Sequence, residues 1–339
     1  MTTETGSPHP RLTGSIALNP KWLPLLFSDQ TRQQLDDSIE LVPLPFSVDR
    51  AGGPAFRDVD VLITGWGCPP IGTAELDQMP SLKAIFHAAG TVKGHLDREV
   101  WNRNILVTTA AQANAKPVAE FTLAMILLAG KQTAKLGRGY TRGDDIDLAS
   151  VRGLGNNGKK IGIVGASRVG RDVITLLSAF DFEIYVYDPF AAADSFGSGV
   201  RVRMSTLDEI FSECDVVSLH APLIEQTIGM IDRQLLTLLQ PGATLINTGR
   251  GALVVEPDLI AAVASQDITA ILDVTVDEPL PSDHPFRTAT NVVLTPHLAG
   301  AQGNELLRLG EAAVEELARF LDGRAPLFPV SASSLDHIA

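Results

Sequence analysis

Apolar, β-branched runs recur through the middle of the chain at 161–164 (IGIV), 184–187 (IYVY), 216–219 (VVSL), 244–246 (TLI), 270–274 (AILDV) and 292–295 (VVLT). Helical patterns fill the gaps at 168–180, 205–213, 226–239 and 256–265. Strands apolar on both faces and separated by helices predict an α/β fold with a doubly wound parallel sheet. The first hundred residues repeat the alternation more faintly, with strands at 14–18, 39–44, 60–64, 83–87 and 105–108 and helices at 29–37 and 94–103. This predicts a second, smaller α/β domain. The apolar run 121–130 reads as part of a buried helix that opens near Pro117, with proline in its first turn, and crosses between the domains. An amphipathic helix at 304–322 returns the chain to the first domain. The expected organisation is therefore 1–113, 114–302 and 303–339, with the larger domain inserted in the smaller. The stretch 137–158 is rich in Gly and Asp, and we read it as an ordered excursion, a candidate subunit contact.

Composition narrows the partners. The 339 residues are 45% hydrophobic and 20% charged, which suits a globular protein with two cores. Net charge is 27 − 40 = −13, so phosphate backbones and anionic lipid are repelled and neither nucleic acid nor membrane is an expected partner. The two cysteines, Cys68 and Cys214, fit no metal or redox spacing. With no basic-then-apolar leader in MTTETGSPHP, they predict a cytoplasmic protein without a metal. Residues 1–10 are expected to be disordered.

The turn after 161–164 is Gly165-Ala166-Ser167-Arg168-Val169-Gly170, a G-x-G-x-x-G pattern with serine at the second glycine. Its context is a strand before, a helix after, and Asp188 in VYDP, 18 residues beyond Gly170. That carboxylate suits two ribose hydroxyls and repels a 2′-phosphate, which predicts NAD rather than NADP. Six strands match the count of a dinucleotide-binding (Rossmann) sheet, in which ligands sit at the carboxyl ends of strands. Those ends carry His220, Ala221 and Pro222, then Asn247, Thr248, Gly249 and Arg250, then Asp273, then Thr295, Pro296 and His297. Buried polar strand ends are costly unless paired, and several together point to a ligand.

Three short segments add chemistry: NTGRG at 247–251, DVTVDEPL at 273–280 and LTPHLAG at 294–300. Arg250 offers a planar fork of donors to a carboxylate or carbonyl. His297 can supply a proton near neutrality, and Glu278 can hold that imidazole. Hydride transfer to a carbonyl needs such a donor. His220 competes as a histidine but reads as a cofactor-side or structural residue.

These segments together resemble the D-isomer-specific 2-hydroxyacid dehydrogenase family, and the resemblance extends over about residues 60–325. The resemblance implies an NAD-dependent enzyme acting on a small anionic 2-oxo or 2-hydroxy acid. Arg250 would bind substrate, His297 act as acid/base, and Glu278 support it. It implies a Rossmann domain inserted in a flavodoxin-like substrate domain, and a homodimer through the nucleotide domains. Cofactor contacts would come from Gly165, Ser167, Arg168, Val169, Gly170, Asp188, His220, Ala221, Pro222, Thr248, Gly249, Asp273, His297 and Ala299. Ala89, Gly90 and Thr91 match a loop whose amides hold the substrate carboxylate. Lys93 stands where relatives often carry an acidic residue, and the chain stops soon after Gly323, where some phosphoglycerate dehydrogenases add a regulatory domain. Two other readings fit the same resemblance: an NADPH-preferring glyoxylate or hydroxypyruvate reductase, and an NADH-sensing corepressor-like binding protein.

Overall fold

A computed structural model describes residues 11–42, 56–197 and 199–336. The expectation of disorder for 1–10, and positions 43–44 of the expected second strand, lie outside the described residues. The chain divides into two compact units, 1–114 with 301–338, and 115–300.

The first unit holds β1 (Thr13–Ala17), α1 (Leu23–Leu26), α2 (Asp29–Ser38), β2 (Glu40–Leu41), β3 (Val61–Thr64), α3 (Thr73–Gln78), β4 (Ala84–His87), α4 (Glu99–Asn102) and β5 (Leu106–Thr109). Its sheet runs β2-β1-β3-β4-β5, every pairing parallel. This is the flavodoxin strand order. Ser28 caps α2 by accepting from the Thr31 amide, which sets where that helix starts. Strand residues alternate between two cores: Val61, Ile63, Ala84 and Phe86 face one, Leu62, Ile85 and Val107 the other. Trp66, at the turn after β3, packs on Trp22 with ring centroids 5.0 Å apart.

Next come α5 (Ala111–Gly130), α6 (Thr133–Arg142), β6 (Lys160–Val164), α7 (Arg168–Leu177), β7 (Glu183–Tyr187), β8 (Val202–Met204), α8 (Leu207–Glu213), β9 (Val216–Leu219), α9 (Arg233–Leu238), β10 (Thr244–Asn247), α10 (Glu256–Ser265), β11 (Thr269–Leu272) and β12 (Val292–Leu294). The second sheet is parallel throughout, in the order β12-β11-β10-β9-β6-β7-β8. Its order reverses between β6 and β9, the switch point at which open α/β sheets bind ligands. The same alternation builds two cores. Val164, Leu219 and Leu245 lie on one face, and Ile163, Val186 and Ile246 on the other. Ile163 and Ile246 are fully buried, each contributing about 1.5–3 kcal/mol. The last helix, α11 (Leu307–Leu321), belongs to the first unit and buries Leu309, Ala313, Val314 and Leu317.

Several expectations need correction. Among the described residues the second sheet has seven strands, not six: β8, only three residues long with Arg203 at its centre and Arg201 just before it, carries no apolar run to announce it. Pro117 lies inside α5 rather than in its first turn, since the helix opens at Ala111, within the first unit. The expected helices 94–103 and 226–239 shrink to α4 and α9, because Gly94 and Gly229 take positive φ and break the pattern. Residues 137–142 are helical within α6, despite Gly137 and Gly139. Strand 270–274 ends at Leu272, which leaves Asp273 beyond the last ladder position.

Candidate active site

Every chemistry-bearing segment of the second unit lies just past the carboxyl end of a strand. The glycine turn follows β6, Asp188 follows β7, His220 to Pro222 follow β9, Thr248 to Arg250 follow β10, Asp273 follows β11, and His297 follows β12.

The turn after β6 forms a tight cradle. Gly165 has φ +98°, and a Cβ there would run into the backbone of Ala221. A Cβ on Gly170 would strike the Gly165 carbonyl, so this glycine is what lets α7 sit against the strand. Ser167 takes an extended conformation and caps α7, its hydroxyl accepting from the Gly170 amide at 3.4 Å. The serine that replaces the second glycine thus has a structural task in starting the helix. Asp188 accepts the Ala166 amide at 2.7 Å and the Phe190 amide at 2.8 Å, which fixes its carboxylate beside the glycine turn. A ten-residue helix N-terminus, two glycines that admit close approach and an acceptor at the end of β7 fit a dinucleotide.

Glu278 and His297 meet directly. Glu278 Oε2 lies 2.7 Å from His297 Nδ1, and Glu278 Oε1 accepts the Thr275 amide at 3.3 Å. With Nδ1 engaged, Nε2 is the nitrogen left for chemistry. The two side chains are 40% and 50% exposed, so the pair is open to a ligand. Arg250 is part-buried and donates to the Gly249 carbonyl at 2.8 Å. Burial draws the Arg250 pKa below its ordinary value, and the nearby Glu278 carboxylate pushes it back up. A guanidinium remains charged under any such shift.

Asp273 braces the histidine. Its side chain is 2% exposed and accepts from the Thr295 hydroxyl at 2.5 Å and from the Leu298 and Ala299 amides at 2.8 and 2.9 Å. His297 itself has φ +52°, a left-handed conformation uncommon outside glycine. His220 is buried, with Nε2 2.9 Å from the Ser218 hydroxyl and Nδ1 buried without a partner among the described residues. Burial pulls its pKa down to about 3, so the ring is neutral.

In the first unit, Ala88 and Ala89 are buried past the end of β4, and the Ala89 carbonyl accepts the Ala110 amide at 3.1 Å. Among the described residues the amides of Ala89, Gly90 and Thr91 donate no hydrogen bond. His87 precedes the loop, buried, with Nδ1 2.8 Å from the Thr64 hydroxyl.

Two supporting groups complete the site, Asn247, already among the polar strand ends read from the sequence, and a pair that sequence reasoning missed. Asn247 is 1% exposed; its amide nitrogen donates to the Arg250 carbonyl at 2.9 Å and its oxygen accepts the Gly249 amide at 3.1 Å, closing the loop that carries Arg250. Its place as first residue of NTGRG was the available signal. Glu256 and His284 form a second carboxylate–imidazole pair at 3.2 Å, with no local motif to mark it. Among the described residues no cluster of His, Cys, Asp or Glu could hold a metal ion, and no helix is long and apolar enough to cross a membrane.

Comparison with known proteins gives a consistent picture. Residues 123–299 match the family model described as D-isomer specific 2-hydroxyacid dehydrogenase, NAD binding domain. A D-3-phosphoglycerate dehydrogenase of Mycobacterium leprae is 32% identical over 246 residues, covering 72% of this chain but 46% of that protein. The chain thus spans about half the length of that relative. A glyoxylate reductase of Korarchaeum cryptofilum is 31% identical over 275 residues, covering 80% of this chain and 82% of the relative. Among solved structures, a phosphoglycerate oxidoreductase from Rhizobium etli superposes with a TM-score of 0.81 at 25% identity, covering 96% of this chain and 99% of that one.

Proposed function

The chain belongs to the D-isomer-specific 2-hydroxyacid dehydrogenase family, with NAD(H) as cofactor, and from that premise we propose that it reduces a small 2-oxo acid to the D-2-hydroxy acid with NADH. The observation that carries this reading is the 2.7 Å contact between Glu278 Oε2 and His297 Nδ1, on the same sheet edge as Arg250. NADH, when bound, would supply a hydride for the carbonyl carbon. His297 Nε2 delivers the proton to the resulting alkoxide, giving the hydroxyl. Glu278 orients the ring through Nδ1, so that Nε2 faces the substrate. Arg250 grips the substrate's carboxylate or carbonyl oxygen by charge-assisted hydrogen bonds. In the first unit, Ala89, Gly90 and Thr91 offer amides suited to a carboxylate. Asp188 takes the ribose hydroxyls and selects NADH over NADPH, while Gly165, Ser167, Arg168, Val169 and Gly170 receive the pyrophosphate. Asp273 meets the nicotinamide carboxamide, and Thr248, Gly249, His220, Ala221, Pro222 and Ala299 are further cofactor contacts. The working form is a homodimer.

Product stereochemistry tests the reading. Pyruvate or phenylpyruvate incubated with protein and NADH should yield the D-2-hydroxy acid on chiral chromatography. The L-isomer, or a racemate, would overturn the proposed placement of hydride and proton.

A further inference from the structure

The turn that carries Glu278 is held from two sides. Its neighbour Thr275 donates its amide to Glu278 Oε1 at 3.3 Å, and the Thr275 hydroxyl donates to the Asp277 carbonyl at 2.7 Å. The next amide, that of Val276, points instead to Glu256 Oε2 at 3.5 Å. Glu256 is the first residue of α10, six positions after Arg250. Between the two, Gly251 packs so closely on Thr275 and Val276 that any Cβ would collide with their backbone. The segment 250–256 therefore touches the Glu278 turn at two points, one a glycine contact and one a carboxylate.

Glu256 is itself fixed. Its Oε1 lies 3.2 Å from His284 Nε2, with the two side chains 21% and 13% exposed. His284 Nδ1 accepts the Phe286 amide at 3.3 Å, so the ring's proton sits on Nε2 and faces the carboxylate. Phe286 is core, 2% exposed, so the histidine is tied to the interior of the unit.

We propose that the Glu256–His284 pair is a positioning device: it clamps the 275–276 turn and thereby sets Glu278 against His297 and beside Arg250. The proposal rests on the catalytic reading of Glu278 and His297 given above. Neither Glu256 nor His284 touches reacting atoms; both act through Glu278.

The test uses full-length protein with NADH and glyoxylate, the smallest 2-oxo acid. His284→Phe keeps a ring but loses the donor, and Glu256→Ala loses the acceptor. Each should lower kcat about tenfold with little change in KM or NADH affinity, the scale of one misplaced catalytic contact. The double variant should be no worse than either single one, since both break the same clamp. His284→Gln, which restores a donor to Glu256, should recover most of the lost rate. An independent readout is the ring resonance of His297 by NMR. It should shift in His284→Phe and return towards wild type in His284→Gln. If kcat and NADH affinity fall and KM rises together with a loss of thermal stability, or if the His297 resonance does not move, the pair is merely structural and the proposal fails. If wild-type protein reduces no 2-oxo acid, the functional reading fails instead, and the His297 resonance alone decides this inference.

Discussion

The backbone amide of His297 donates to the carbonyl of Asp273 at 3.0 Å, while the Asp273 carboxylate takes the next two amides of the same loop. One buried residue at the end of β11 therefore dictates the left-handed turn that presents the imidazole past the end of β12. Glu278 then fixes the ring from the other side through Nδ1. If His297 is the acid/base, His297→Ala lowers kcat for glyoxylate reduction by about 10²-fold or more. NADH binding, followed by fluorescence, stays near wild type. A small loss of kcat would move the proton-transfer role to another group.

Arg250 donates to the Gly249 carbonyl at 2.8 Å, and its loop is closed by Asn247. Arg250→Ala should reduce kcat/KM for the oxo acid by about 10–100-fold, the worth of a charge-assisted hydrogen-bond pair. The NADH dissociation constant should hold steady. Equal losses in substrate and cofactor affinity would contradict its assignment to substrate.

Asp188 is bonded to the amides of Ala166 and Phe190, which fixes its carboxylate beside the glycine turn. Asp188→Ala should weaken NADH and relieve repulsion of a 2′-phosphate. The ratio of kcat/KM values for NADH and NADPH should then fall by about tenfold or more, since like charges brought together cost kilocalories. An unchanged ratio would remove Asp188 from cofactor selection.

Two buried histidines make stability fall in mild acid. His220 and His87 are held neutral, each with a pKa pulled down to about 3, burial being the main cause. In the unfolded chain each takes up a proton near pH 6.5, so the unfolded state gains protons that the folded state refuses. The stability they contribute is complete above about pH 6.5 and is lost as pH drops towards about 3, at up to about 1.4 kcal/mol per pH unit for each histidine. Urea midpoints measured between pH 7 and pH 5 should fall for both units, as His87 lies in the first and His220 in the second. A flat midpoint over that interval would mean that these rings take up protons in the folded state.

Much of this was legible in the chain because the signals were local. NTGRG, DVTVDEPL and LTPHLAG placed Arg250, Glu278 and His297 after strands, and parallel β10, β11 and β12 bring those ends to one edge. The glycine turn was readable because Gly165 and Gly170 each meet backbone that no side chain could share. What escaped was set by tertiary packing. The β8 strand pairs with β7 despite Arg203 at its centre, since a three-residue edge needs only one neighbour. α5 runs through Pro117 because its first turn begins at Ala111, within the first unit, and six residues precede the proline. The Glu256–His284 pair joins residues 28 apart in sequence and leaves no spacing to read.

The central claim is that these residues serve NADH-dependent reduction of a small 2-oxo acid. The most direct test follows NADH oxidation at 340 nm with purified protein and a panel of glyoxylate, hydroxypyruvate, pyruvate, phenylpyruvate and phosphohydroxypyruvate, repeated with NADPH. The account predicts strong turnover on at least one member, faster with NADH than with NADPH and lowered about 10²-fold or more in His297→Ala. No turnover on any member, with NADH still bound by fluorescence, would contradict it and favour a nucleotide-sensing role for the same fold.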